Sequence, residues 1–158
     1  MKTTPAATVV ELLNATADHI EAHGLLLGMF QFHPGATGED SVPTCGCLFG
    51  TMRHFAGLPP AAATATPHHP VMAPALKALE AVTLAERREL GGDDGPVGLM
   101  AWSDHHANLV VVSRYDKLIG VTHRNPRNMD GGPPHGDRLK VISALRRTAH
   151  SEIAKGLR

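Results

Sequence analysis

Apolar positions recur along this chain in two rhythms. In the first stretch the steps are three and four residues: Val9, Leu13, Ala17 and Ile20 line one face, Leu12 and Thr16 flank it, and Gly24 follows. That spacing predicts an amphipathic helix over 8–23 with a glycine at its C-terminal end. Leu25 to Phe32 is instead an unbroken apolar run of strand length. A polar stretch, His33 to Val42, reads as a loop before Pro43. From Thr44, a candidate N-cap, Leu48, Thr51, Met52 and Phe55 again share a helical face until Gly57 and Pro59-Pro60. Ala61 to Pro70 is an Ala/Thr/Pro linker.

The second half alternates the same signals. Pro74 suits the first turn of a helix whose core face is Leu76, Leu79 and Val82. Thr83-Leu84-Ala85-Glu86 is a capping-box signature, which predicts a new or kinked helix from there to Leu90. Asp93 to Pro96 reads as a turn and Val97 to Trp102 as a short strand. Two β-branched runs, Leu109 to Arg114 and Leu118 to His123, flank Tyr115-Asp116-Lys117 and predict a hairpin. Arg124 to Gly136 is a long Asn/Pro/Gly loop. Asp137 then caps a last helix with Leu139, Ile142, Leu145, Ala149 and Ile153 as its stripe. Together these predict an α+β domain over 1–158: four or five helices around a small antiparallel sheet made of the 109–123 hairpin with 25–32 and 97–102.

Composition narrows the class. With 158 residues, 42% hydrophobic and 19% charged, the chain has globular proportions and enough length for one core. No apolar run reaches the roughly 18 to 20 residues of a membrane span, and Met1 to Pro5 leads directly into the first amphipathic pattern, so a cytoplasmic location and no membrane partner are expected. Net charge is zero but polarised: residues 1–108 carry five basic against eleven acidic side chains, and residues 109–158 ten against four. Such a split either offers nucleic acid or an acidic partner a basic face, built from Arg124, Arg127, Arg138, Arg146, Arg147 and Lys155, or draws the two halves of the fold together.

Candidate chemistry gathers at two places. Cys45 and Cys47 are too close for an unstrained disulfide, and Cys47 falls at a helix start, where dipole and free N–H groups favour a thiolate and hold an oxyanion. The richest polar cluster is Trp102-Ser103-Asp104-His105-His106-Ala107-Asn108. Eleven histidines keep a transition metal open, zinc or copper on Cys45, Cys47, His54, His68 and His69, with His105 or His106 as further donors, although no cofactor is required by any motif. His19 and His23 have the i, i+4 spacing of zinc helices, but Glu21 is turned about 200° from both, unlike the metalloprotease arrangement.

Two resemblances follow from these residues. The first helix ending in His23-Gly24, Cys47-Leu48-Phe49-Gly50, the Leu76/Leu79 helix, Trp102-Ser103-Asp104 and the final helix resemble a family of small uncharacterised bacterial and phage proteins, with Ser103 where that family has Asn. This resemblance implies an architecture and no mechanism. The order Cys47, then His106 before a strand pair, resembles papain-like cell-wall cysteine hydrolases, without their Asp-Cys-Ser-Gly signature. It implies Cys47 as nucleophile, His106 (or His105) as its base and His123 as the group orienting the imidazole. Three functions are therefore set against one another: a binding or regulatory protein for a protein partner or small molecule, a thiol hydrolase or acyl-transfer enzyme, and a Cys/His metal protein.

Overall fold

The computed structural model describes residues 4–27, 46–58, 68–92, 94–110, 123–124 and 137–156. Five helices account for most of them: α1 (Val9–His23), α2 (Leu48–Phe55), α3 (Met72–Glu89), α4 (Gly95–His105) and α5 (Arg138–Gly156). The expected α+β architecture is overturned. Among the described residues the only ladder is Leu109–Val110 paired antiparallel with His123–Arg124, two residues on each side, which is no sheet around which a fold could form. Residues 111–122 of the expected hairpin lie outside the described residues. Leu25 and Leu26 make isolated parallel bridges to Gly46 and Leu109, and residues 28–32 of the expected 25–32 strand lie outside the described residues.

Val97 to Trp102 is helical as well. A short apolar run cannot be told from one turn of buried helix by its composition. Here Pro96 sits in the first turn, Leu99, Trp102 and Ser103 are buried, and Val97 is 68% exposed, so the burial steps are three and four. The break expected at Thr83 is also absent. Its hydroxyl donates to the Leu79 carbonyl at 2.8 Å inside a continuous α3 and accepts from Arg87 Nε at 3.1 Å, so the residue is a buried polar bracket instead of a cap.

The helix ends follow from local chemistry. Thr8 and Glu11 form a reciprocal capping box on α1, the Thr8 hydroxyl accepting from Glu11 N–H. Gly24 ends α1 at φ +94°, and a Cβ there would meet Leu109 Cδ1 at 2.6 Å. Asp137 Oδ1 accepts from Leu139 N–H at 2.9 Å at the start of α5.

The core lies where α1 and α5 run together and α2, α3 and α4 close over them. Leu12, Leu13, Ala17 and Ile20 of α1 meet Met52 of α2, Met72 and Leu79 of α3, Leu99 of α4 and Val141, Ala144 and Leu145 of α5. Each fully buried aliphatic side chain contributes about 1.5–3 kcal/mol. Of the expected α5 stripe, Ile142, Leu145 and Ala149 are buried. Val141, Ala144 and Thr148 are inside, while Leu139 and Ile153 stand 57% and 46% exposed.

Among the described residues, part of the polarised charge is spent within the fold. Arg146 of α5 reaches Glu21 Oε2 at 2.6 Å and Asp18 Oδ1 at 3.2 Å on α1, and Arg138 donates to the Ile20 and Glu21 carbonyls at the C-terminal end of α1. These pairs are exposed and individually weak. They align α5 on α1.

Candidate functional site

Cys47 is the N-cap residue of α2, one position outside the helix. Thr44, the expected cap, lies outside the described residues. The Cys47 Sγ accepts from Gly50 N–H at 3.4 Å. The helix start does favour a thiolate, but the side chain is 7% exposed and burial is the larger effect, so the thiol is pushed up to about 11, with the nearby Asp104 carboxylate adding to the rise. The cysteine is a protonated helix cap at neutral pH. Its carbonyl accepts from the Thr51 hydroxyl at 2.9 Å, which closes the same turn from the other side.

His106 is drawn into a different cluster. The residue ends α4 and is 2% exposed. Its Nδ1 accepts from the Asp137 backbone N–H at 2.8 Å, tying the end of α4 to the start of α5. A neutral imidazole whose Nδ1 accepts must carry its proton on Nε2. That Nε2 faces Glu86 of α3, 3.2 Å from Oε1, and Lys140 Nζ of α5 lies 3.9 Å from the same oxygen. Burial lowers the His106 pKa, and the Glu86 carboxylate opposes the shift. Trp102, one turn earlier, sets its ring edge-on to the imidazole, with centroids 5.2 Å apart, and His105 does so at 5.0 Å.

Among the described residues Trp102 Nε1 has no hydrogen-bond partner, while Glu86 Oε1 and His106 Nε2 face only each other and Lys140. The His106–Glu86 separation is that of an ion pair, yet the N–H does not point along it. Glu86 read in the sequence as the far end of a capping box and Trp102 as part of a triplet. The available signal was the i, i+4 spacing of Trp102 and His106, which becomes visible only once residues 97–105 are taken as helix.

The remaining expected site residues are scattered. Cys45 and the side chain of His123 lie outside the described residues. His54 is half-buried on α2 beside Phe55, their rings 4.9 Å apart. His69 Nδ1 accepts from Val71 and Met72 N–H at 3.2 and 3.1 Å, so that lone pair caps α3. His68 is exposed in the turn before it. His19 and His23 do come together, with ring centroids 4.6 Å apart. Among the described residues no three His, Cys, Asp or Glu side chains converge as a metal site.

A groove of about 520 Å³ opens between α1 and α5. It is lined by Glu21 of α1 and by Leu139, Ile142, Ser143, Arg146, Arg147 and His150 of α5. Arg146 is neutralised by Asp18 and Glu21. Arg147 and His150 are exposed and make no ion pair among the described residues.

A buried cap thiol, an interior imidazole node and an open basic groove define a small helical domain with its polar groups at helix ends. No helix among the described residues is long and apolar enough to cross a membrane. Residues 4–113, more than half of the chain, match the family of unknown function DUF6197, and the protein belongs to that family. The matched span takes in α1 to α4 and ends before α5. It supports the expected kinship with an uncharacterised family, but no bacterial or phage origin and no relation to papain-like hydrolases. No curated protein and no solved structure matches the chain.

Proposed function

We propose that this is a binding or regulatory protein that holds an acidic, apolar-flanked segment of a partner protein in the groove between α1 and α5. The observation carrying this reading is Arg147 and His150, without ion pairs among the described residues, on the same groove as Leu139 and Ile142. Leu139, Ser143, Arg147, His150 and Ile153 succeed one another at steps of three and four, so they share one stripe of α5 with exposed apolar residues at both ends. A carboxylate between two apolar side chains would match that order, gaining a guanidinium contact and covering Leu139 and Ile153. Nucleic acid fits less well. Of the described basic residues on α5, Arg138, Arg146 and Lys155 are engaged within the chain and Lys140 stands by Glu86, so α5 by itself offers few free charges for phosphates, while Arg127 and the side chain of Arg124 lie outside the described residues.

Selection of a displayed random peptide library on the protein tests the reading. Acidic consensus peptides should emerge, perturb the Ser143 and Arg147 amide signals by NMR, and lose at least about tenfold in affinity on Arg147→Glu. Peptides without acidic residues, or with affinity indifferent to both Arg147→Glu and Leu139→Ser, would overturn it.

A further inference from the structure

The two histidines in the last turns of α1 stand apart from the groove and carry their own chemistry. His19 and His23 are one turn apart on one face of the helix, and His19 looks toward α2, meeting Phe55 edge-on at 5.5 Å. Asp18 and Glu21 turn the other way and are held by Arg146 of α5. The ring nitrogens of His69 and His106 are engaged by backbone N–H groups at helix ends. His19 and His23 differ: neither makes a hydrogen bond or an ion pair among the described residues.

Their protonation and spacing both suit a metal ion. Burial holds the His19 imidazole well below its ordinary pKa, at about 4, so at neutral pH it presents an unprotonated nitrogen and need lose no proton to coordinate. A metal ion about 2.0 Å from a ring nitrogen lies about 3.2 Å from the centroid of that ring, so two rings gripping one ion at a right angle have centroids about 4.5 Å apart, against about 5.2 Å at the tetrahedral angle. The His19 and His23 centroids are 4.6 Å apart, with the rings tilted by 43° instead of stacked face to face. The right angle is the preference of copper(II) and nickel(II) among nitrogen-bound divalent ions.

We propose that His19 and His23 form a two-imidazole chelate for a divalent ion of tetragonal preference, copper(II) or nickel(II), with water in the remaining positions. His19, half-buried against Phe55, is the fixed donor, and the exposed His23 closes onto the ion. With two protein donors the ion keeps open positions toward solvent, unlike a closed structural site. The contact with Phe55 carries occupation of the site to α2.

The chelator-washed full chain, in which His19 titrates as a free imidazole, is titrated with copper(II) chloride alone at pH 7. The first equivalent should broaden the His19 and His23 ring signals in NMR ahead of every other histidine and give an EPR spectrum with two equatorial imidazole nitrogens. His23→Gln, an exposed change at the end of a helix, should weaken that first binding at least about tenfold, because a chelate becomes a single donor. His68→Gln, exposed in the turn before α3, should change it by less than about threefold. Nickel(II) chloride should reproduce the order of the variants. An unchanged affinity in His23→Gln, first broadening centred on other histidines, or a spectrum with one equatorial imidazole would overturn the proposal.

Discussion

Acid should weaken this fold through His19. The ring sits near the end of α1, 4.6 Å from His23 and 5.5 Å, edge-on, from Phe55 of α2. Burial, then the neighbouring charges of His23 and His54, lower its pKa from 6.5 to about 4. Between those values the unfolded chain binds a proton that the folded chain refuses, so stability is fully present above about pH 6.5 and is lost as the pH falls toward 4. At about 1.4 kcal/mol per pH unit the loss has a ceiling of about 3 kcal/mol. The ring is only partly buried, and solvent screening reduces this to about 1–2 kcal/mol, a fall in Tm of about 3–8 °C. Urea denaturation at steps from pH 7.5 to 4.5 measures it. His19→Gln removes the titrating group while keeping a polar side chain of similar reach, so its stability should fall less steeply over that interval. His106, also lowered by burial, adds a loss of the same sign in both proteins and cancels from the comparison. Parallel pH curves for wild type and His19→Gln would refute the reasoning.

Three other perturbations probe the helix ends. Cys47→Ser retains an acceptor for Gly50 N–H whereas Cys47→Ala does not, so the alanine variant should be less stable than the serine one by about 0.5–2 kcal/mol in chemical denaturation. The same thiol, held near 11, should resist iodoacetamide at pH 7 in the folded protein and react once urea unfolds it, as mapped by mass spectrometry; prompt native labelling would count against a protonated cap. Gly24→Ala combines a positive φ with a Cβ placed 2.6 Å from Leu109 Cδ1, so a loss of about 1–3 kcal/mol is expected in thermal unfolding.

The amphipathic stretches with capping residues at their ends were legible from the residues alone. The first helix, the cysteine helix and the Asp137 start of the last helix each carry their own boundary signals, because caps and periodicity are local physics. Membership of an uncharacterised family was expected too, and residues 4–113 match one. The errors arose where local signals admit two answers. Val97 to Trp102 was short enough for either element, and its burial against the core settled it as helix. Thr83 had the chemistry of a cap, but inside α3 its hydroxyl found the Leu79 carbonyl and Arg87.

What a histidine or a cysteine does was decided by the tertiary structure, since protonation depends on burial and on partners distant in sequence. Cys47 had the position of a reactive thiol, and the packing around it raised its pKa beyond what a helix start can offset. His106 had the look of a base, and an amide N–H thirty-one positions later took its free lone pair and left it a donor facing Glu86. The sequence by itself thus determined some helix boundaries, Gly24 and Asp137 among them, and which side chains are capable of chemistry. Which of those side chains meet, and with what charge, was set by the way α3, α4 and α5 pack, because a lone pair or a proton is assigned by its nearest neighbours in space.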